Sequence, residues 1–461
     1  MQKEMIFGSD WITVDLPDHT TLLPPSVNVS LPLKPVSDLA QAVQDTLLHP
    51  LDTKPLRELV RPGQRVTIAF DDPTVPSLAP VWETALPVII EELHHAGVRD
   101  KDITLLCANA LHRQFTHKEL EKIIGEPITK TFSDRLLCHD AEDKDNISCI
   151  GKTKEGYDVE LNRLATDSDL TIYLNAYSTG FNGGWKSLCV GLSTWRSIKW
   201  HHTPDVMSMS LGHNRLHEIL DKMGKVVTDK LGRNKFFKVE TLLANPVQAA
   251  RIWAGSVDAT RAAVLEVLKG RQKPRHELLE KKADIVCYGI PDWSPYAVFS
   301  LMNPLLTLVS TGLGYLGGMI QAVGRSGCSV IMATPCKDQW DEVHHPSYKE
   351  VWYRVLADLK NPYKIMDKYG NEFISRKEYI DAYRHNFGFH PVHGLLATQP
   401  LKRLNHAGRI FVAGAENPAL VEHLGFEYKK TVEEAIASAQ KTHGKDASIA
   451  FIQNPAAFNR Q

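Results

Sequence analysis

Three loops in the first half of the sequence carry the residue types most suited to chemistry. These loops hold Asp71-Asp72-Pro73-Thr74, then His112-Arg113, then Gly180-Phe181-Asn182-Gly183-Gly184-Trp185-Lys186. Carboxylates and imidazoles are groups that move protons in enzymes. A lysine beside flexible glycines can approach a bound ligand closely. The loops therefore predict one site that combines acid–base groups with a ligand-binding lysine.

Each of these loops follows a short apolar run of the kind that forms a buried strand. The predicted strands are Val66–Phe70, Ile103–Ala108, Leu170–Leu174, Asp284–Tyr288, Ser329–Ala333 and Arg409–Ala413. Helical patterns lie between them, including Leu78–His95, a helix opened by a capping box at Thr116 and Glu119, and Thr431–Thr442. This alternation predicts an α/β fold with mostly parallel sheets and flanking helices. Ligands bind beyond the carboxyl ends of such strands, so we expect the three loops to converge.

A charged stretch at Gly270–Lys282 marks a predicted domain boundary. It contains a proline and few apolar residues. We therefore expect two α/β domains, 1–270 and 271–461, with the active site in the cleft between them. The last segment of the second domain is expected to pack back on the first.

Composition excludes several classes of protein. The 461 residues include 53 Lys+Arg and 54 Asp+Glu, and the net charge of −1 gives no overall attraction to nucleic acid or an anionic membrane. The seven cysteines show no C-x-x-C spacing, so neither a disulfide framework nor a zinc knuckle is predicted. No signal peptide or apolar run of about 18 residues is present, which predicts a cytoplasmic protein.

A rival signal is the string Gly312-x-Gly314-x-x-Gly317, which matches the dinucleotide-binding fingerprint. It would suit an NAD-dependent oxidoreductase. The fingerprint requires an acidic residue at the end of the next strand, about 20 residues further on, and this sequence has none there. A glycine-packed helix or loop is therefore favoured.

Taken in order along the chain, the loop motifs resemble the nickel-dependent lactate racemase family, whose members use a nickel-pincer nucleotide. The matching residues are Asp72-x-Thr74-x-Pro76, Leu111-His112-Arg113, Gly183-Gly184-x-Lys186, and His202 sixteen residues after that lysine. The resemblance implies that Lys186 carries the cofactor through a thioamide link and that His202 ligates nickel. It also implies that His112 is one of two catalytic histidines, and that Asp72, Thr74, Gly183 and Gly184 contact the cofactor.

The implied reaction is reversible hydride transfer that inverts a small 2-hydroxy acid. The N-terminal domain would bind the cofactor, and cofactor-synthesis proteins would be partners.

The sequence departs from the family at the residues that handle substrate. The second catalytic histidine is replaced by Ala176, and the arginine that clamps the substrate carboxylate by Val75. The family's Tyr-Gln-x-x-Lys reads Tyr296-Ala297-x-x-Ser300. A small carboxylate such as lactate needs such an arginine fork and lysine.

These losses favour a larger hydroxy acid or sugar acid as substrate. Asn175, Tyr177, Asn182 and Trp185 could furnish a wider pocket, and Tyr177 or His201 could supply the missing base. The alternative is a relative that binds the cofactor but has altered or lost catalysis.

Overall fold

A computed structural model describes residues 1–23, 33–75, 79–177, 180–207, 214–245, 247–270 and 279–453. The chain divides into two compact units. The first unit comprises the described residues of Pro32–Arg271 together with Tyr383–His390. The second unit comprises those of Met1–Leu31, Gln272–Ala382 and Pro391–Gln461.

The strands follow the chain in this order: β1 Gln2–Phe7, β2 Asp10–Asp15, β3 Thr21–Leu23, β4 Val66–Asp71, β5 Ile103–Ala108, β6 Leu136–Cys138, β7 Ile147–Lys152, β8 Asp158–Asn162, β9 Leu170–Tyr177, β10 Phe236–Asn245, β11 Gln248–Gly255, β12 Ala283–Gly289, β13 Gly324–Ala333, β14 Ala407–Ala413, β15 Glu427–Lys429 and β16 Ile449–Ile452.

The α-helices are α1 Leu39–Leu48, α2 Leu56–Leu59, α3 Ala79–His95, α4 His117–Ile124, α5 Glu126–Thr131, α6 Arg163–Asp167, α7 Trp185–Cys189, α8 Trp195–Ile198, α9 Arg215–Leu231, α10 Val257–Gly270, α11 Gly318–Val323, α12 Tyr348–Glu350, α13 Leu356–Asp358, α14 Pro362–Ile374, α15 Lys377–His385, α16 His393–Leu396, α17 Pro418–His423 and α18 Val432–His443. Two π-helical segments span Leu305–Leu316 and Val351–Val355.

The first unit is built on a six-stranded sheet in the order β11-β10-β9-β4-β5-β6. Its strands pair in parallel except β11, which runs antiparallel to β10. β4 and β9 are buried along their whole length because helices cover both faces of such a sheet. From β4 the chain adds β5 and β6 on one side, whereas β9 and β10 lie on the other. This reversal creates a switch point between β4 and β9, where α/β sheets bind ligands.

The second unit has a parallel six-stranded sheet in the order β15-β14-β13-β12-β16-β3. Its core is apolar and includes residues from β12, β13, β14, β16 and α18. The antiparallel β1–β2 hairpin belongs to the same unit, where the backbone N–H of Gly8 donates to the carbonyl of Ile290 (3.0 Å).

The two units differ from the predicted domains 1–270 and 271–461 at both ends of the first domain. β3 pairs with β16, so the N-terminal strands belong to the second unit. Conversely, Tyr383–His390 belongs to the first unit. The last segment does contact residues of the predicted first domain, within the second unit: β16 pairs with β3, and a ring nitrogen of His19 bonds to the carbonyl of Ala447 (3.2 Å). Such long-range pairings leave no local trace in the sequence.

The predicted α/β class with mostly parallel sheets is confirmed, and every predicted strand lies within an observed one. The capping box is also present: the Thr116 side chain accepts from the N–H of Glu119 (3.2 Å), and the Thr116 N–H donates to the Glu119 carboxylate (2.8 Å). The described residues include no helix with the length and apolarity needed to cross a membrane.

The fingerprint-like glycines do not form a phosphate-binding turn. Gly312 and Gly314 lie inside the π-helical segment, and Gly317 separates it from α11. A Cβ on Gly312 would lie 2.8 Å from the side chain of Ile290 and 2.9 Å from that of Met332. The glycine is therefore needed for close packing, which removes the structural basis for a dinucleotide site at this string.

Candidate functional site

Asp72 and His112 form a hydrogen-bonded pair beyond the carboxyl ends of β4 and β5 in the first unit. The β4–β5 pairing brings Asp71 opposite Ala108, so the loops after the two strands meet. Nδ1 of His112 lies 2.8 Å from the Asp72 carboxylate, and the Thr74 hydroxyl donates to the same carboxylate (2.5 Å). Asp72 is buried, whereas 22% of the His112 side chain is exposed. The carboxylate favours a proton on Nδ1, so the lone pair lies on Nε2, where it can accept a proton.

The loop that carries His112 is held by its neighbours. Asn109 donates its side-chain N–H to the carbonyls of His112 (3.2 Å) and His139 (3.0 Å). From the segment Tyr383–His390, Phe389 packs against the imidazole of His112 with ring centroids 5.8 Å apart. The imidazole is therefore preorganised before any ligand binds.

Lys186 is the second residue of α7, and two glycines with positive φ lie directly before this helix. Gly183 has φ +76° and Gly184 φ +57°. The Lys186 amine lies over the ring of Phe181, 4.5 Å from its centroid. Burial lowers the pKa of this amine, and the nearby carboxylates Asp71 and Asp72 oppose that effect. A lowered pKa favours the neutral, nucleophilic form of the amine.

His201 and His202 form a second pair, with their Nδ1 atoms 2.9 Å apart. One ring must donate and the other accept, which requires at least one neutral imidazole. Burial lowers the pKa of His201 to about 3 and that of His202 well below its usual value. The positive charge of Lys186 acts in the same direction on both rings. Two neutral imidazoles therefore lie within the electrostatic reach of Lys186.

Tyr177 is fully buried beneath the glycine loop. Its hydroxyl accepts from Arg261 (3.2 Å), and a Cβ on Gly183 would lie 1.9 Å from that hydroxyl. Burial and the charge of Glu240 raise the pKa of Tyr177 well above its ordinary value. This placement favours a structural role for Tyr177 over the proton-transfer role that the sequence suggested.

Two other residues expected in a wider pocket are also held in internal bonds. The amide of Asn175 donates to Glu240 (3.0 Å), and the indole of Trp185 donates to Asp258 (2.8 Å). Both side chains are buried. The geometry therefore favours structural roles for them as well.

Ala176, the position at which the resemblance implies a catalytic histidine, is buried within β9. Its N–H donates to the Asp71 carboxylate (3.2 Å), which also accepts from the Tyr173 hydroxyl (2.9 Å). Burial raises the pKa of Asp71 to about 6, although nearby Lys238 and Lys186 act to lower it.

Lys238 and the residues around it were not predicted as part of the site. The lysine and glutamate inside the apolar run FFKVETLL were a signal that could have indicated them.

In the second unit, Ser300 occupies the position where the family is expected to have lysine. Its hydroxyl donates to Asp341 (2.6 Å), which also bonds to Nδ1 of His344 (2.8 Å). Burial acts to raise the pKa of Asp341, but the bonds from His344 and Ser300 outweigh it and hold that pKa well below its usual range. A hydroxyl, a carboxylate and an imidazole thus stand at this position in place of a cation.

The described ranges offer no ready-made cluster of metal ligands. Those ranges contain no group of three or more His, Cys, Asp or Glu residues that could hold a metal ion. A metal near His202 would therefore need most of its donor atoms from a bound ligand.

His139, at the end of β6, gives a pH-dependent contribution to stability. The ring is fully buried between the Ser193 carbonyl (2.9 Å) and the Asn162 amide (3.0 Å), and burial lowers its pKa from 6.5 to about 4. The unfolded chain takes up the proton first, so stability is lost as pH falls from 6.5 to 4. The expected loss is roughly 3 kcal/mol.

Urea denaturation of the wild type and of His139→Gln across this range measures the loss. The difference between the two proteins in free energy of unfolding should become smaller as pH falls, because only the wild type carries this titrating ring. A constant difference would show that folding does not lower the pKa of this ring.

Comparison with known proteins finds similarity to lactate racemases. Residues 7–213 match the lactate racemase N-terminal domain. The lactate racemase of Lactiplantibacillus plantarum is 23% identical over 423 residues, covering 89% of this chain and 88% of its own. That of Thermoanaerobacterium thermosaccharolyticum is 26% identical over 342 residues, covering 71% of each chain.

Solved structures have the same fold. The lactate racemase apoprotein from T. thermosaccharolyticum aligns with a TM-score of 0.68 at 20% identity, covering 98% of both chains. A structural-genomics protein from Thermotoga maritima aligns at 0.55 and 13% identity, covering 92% of this chain and 98% of its own. The domain match and the two relatives lead to one conclusion: the chain is similar to lactate racemases in sequence, most specifically over residues 7–213.

Proposed function

We propose that this protein is a racemase or epimerase that inverts a 2-hydroxy acid larger than lactate, with a nickel-pincer nucleotide attached to Lys186. A racemase-type activity is supported by the match to the lactate racemase N-terminal domain and by relatives named lactate racemase. The observation that carries the proposal is the Asp72–His112 pair, 2.8 Å apart, in the same unit as Lys186 and His202. A base, an amine for cofactor attachment and a neutral metal-ligating imidazole are the groups that this chemistry needs.

The residues present fit the cofactor. His202 would supply one imidazole to the nickel, and the soft sulfur and carbon donors of the pincer would complete the ligand set. The amine of Lys186 would hold the pincer. Once bound, the cofactor supplies a reversible acceptor for the hydride on carbon 2 of the substrate.

His112 would take the hydroxyl proton of the substrate at Nε2. Asp72 keeps the ring in the required tautomer and stabilises the imidazolium that forms. Thr74 keeps the Asp72 carboxylate in place through its 2.5 Å bond. Return of the proton from His112 completes the cycle. Asp72 and Thr74 thus support the base, while Gly183 and Gly184 shape the turn before Lys186.

The proposed substrate class is supported by the residue types of Val75, Ala297 and Ser300. None of them is a cation, so a small carboxylate would lack the charge clamp of the family. Additional hydroxyl groups on a sugar acid would gain affinity through hydrogen bonds instead. We further propose that the protein works in the cytoplasm and receives its cofactor from the synthesis proteins.

The proposal is tested with protein coexpressed with the cofactor-making proteins. A panel of hydroxy acids and sugar acids labelled with deuterium at carbon 2 is incubated with it, and configuration is followed by chiral chromatography. We expect inversion of at least one larger acid with a primary isotope effect, and little inversion of lactate. Loaded protein that inverts no member of the panel would support a cofactor-binding relative without racemase activity.

A further inference from the structure

A buried ion pair lies beneath the loop that carries Lys186. Lys238 and Glu240, both on β10, have fully buried side chains, and Nζ of Lys238 lies 3.3 Å from Oε1 of Glu240. Removing two charges from water costs several kcal/mol for each ion, so an apolar pair of similar volume is often at least as stable. Fold stability alone therefore does not explain why two charged residues, rather than two apolar ones, occupy these positions.

The bonds of the pair are directed at the chain on both sides of Lys186. Oε1 of Glu240 accepts from the N–H of Gly184 (3.1 Å), two residues before the lysine. Nζ of Lys238 donates to the hydroxyl of Ser187 (2.6 Å), the residue after it. Asn175 links the two sides, because its amide N–H donates to Glu240 (3.0 Å) and its carbonyl oxygen accepts from Ser187 (3.1 Å).

Arg261, on α10, holds the preceding part of the same loop. Its guanidinium donates to the carbonyl of Asn182 (2.9 Å) and, at 3.5 Å, to that of Gly180. A Cβ on Gly184 would lie 2.3 Å from the Arg261 side chain, so the loop backbone packs directly on this arginine. The planar guanidinium can bind several acceptors at once, which a lysine amine does less rigidly.

We propose that Glu240, Lys238 and Arg261 are positioning residues that fix the backbone of residues 180–187 and thereby present the Lys186 amine to the cofactor. This inference rests on the proposed role of Lys186. The proposal does not place any of the three residues in contact with substrate or cofactor. They act through the loop backbone and through Ser187 and Asn175.

The test uses the full-length chain with two variants. Arg261→Met removes the bonds to the loop carbonyls. Lys238→Met/Glu240→Leu removes both charges together, so that no buried charge is left unpaired. Arg261→Lys is the conservative rescue, and Glu266→Gln is the matched control because it lies on the exposed side of the same helix.

Two readouts are combined with urea denaturation as a check on global stability. The first is hydrogen–deuterium exchange of the peptide covering residues 180–190 in unloaded protein. The second is the fraction of Lys186 that carries a mass adduct after coexpression with the cofactor-making proteins. We expect loop exchange to rise at least tenfold and the adduct fraction to fall at least fivefold in both variants. Arg261→Lys should recover part of each effect, and the denaturation midpoint of the double variant should stay close to wild type.

Unchanged exchange and adduct fraction in both variants would overturn the inference. A parallel fall in denaturation midpoint and adduct would also overturn it, because the residues would then only stabilise the fold. If wild-type protein carries no adduct, the proposed function fails. Exchange in the unloaded protein then decides whether these residues fix the loop.

Discussion

Replacing His112 by glutamine is expected to lower kcat of the loaded enzyme by roughly 10²- to 10⁴-fold, the contribution typical of a general base. Glutamine occupies similar space but cannot accept a proton at neutral pH. The Lys186 adduct should be retained, because His112 plays no part in cofactor attachment. Kinetics of the best larger hydroxy acid, together with the mass of the Lys186 peptide, measure both expectations.

Asp72→Asn should also lower kcat, by about 10²-fold or more, because asparagine favours the wrong tautomer of His112. The surface pair His94 and Asp100, 2.7 Å apart, provides a matched control with the same kind of bond. His94→Gln should leave kcat unchanged. If His112→Gln kept kcat near that of the control, another residue would be the base.

Gly183→Ala is expected to lower both the stability of the fold and the extent of cofactor attachment to Lys186. Gly183 has φ +76°, and a Cβ there would lie 1.9 Å from the Tyr177 hydroxyl, which is bonded to Arg261. Overpacking and an unfavourable backbone region together should reduce the free energy of unfolding by about 3 kcal/mol. The loop should also lose its shape, so the adduct on Lys186 should fall sharply.

Gly156→Ala is the control, because Gly156 has a similar φ of +88° but no atom within 4 Å of the added Cβ. Only the backbone cost of about 1 kcal/mol is expected there, with normal cofactor attachment. Urea denaturation and peptide mass measure both variants. Equal losses of stability in the two variants would mean that the Gly183 loop is not packed tightly on Tyr177.

Much of the fold could be predicted because buried parallel strands have a strong local signal. Val66–Phe70 and Ile103–Ala108 are continuous apolar runs, as expected for strands covered on both faces. The capping box at Thr116 could be predicted for a similar reason, since its bonds join residues three apart. Pairing between distant segments could not be predicted. β3 and β16 are more than 400 residues apart, and neither segment contains a local pattern that indicates its partner.

The same contrast applies to the site. The reactive residues were found because they follow apolar strands at the expected edge of a parallel sheet. The bond between Asp72 and His112 depends on the register of β4 against β5, which only the structure provides. The supporting roles of Tyr177 and Glu240 were missed because they depend on close packing beneath a loop. A residue type alone does not show whether a phenol faces a pocket or a glycine.

The most direct test of the proposed chemistry is nickel content combined with the mass of the Lys186 peptide, after coexpression with the cofactor-making proteins. We expect close to one nickel per chain and a cofactor-sized adduct on Lys186. Both should be lost in Lys186→Arg, and His202→Gln should lose nickel. Wild-type protein without an adduct on Lys186 under these conditions would contradict the proposal that this protein works through a covalently held nickel cofactor.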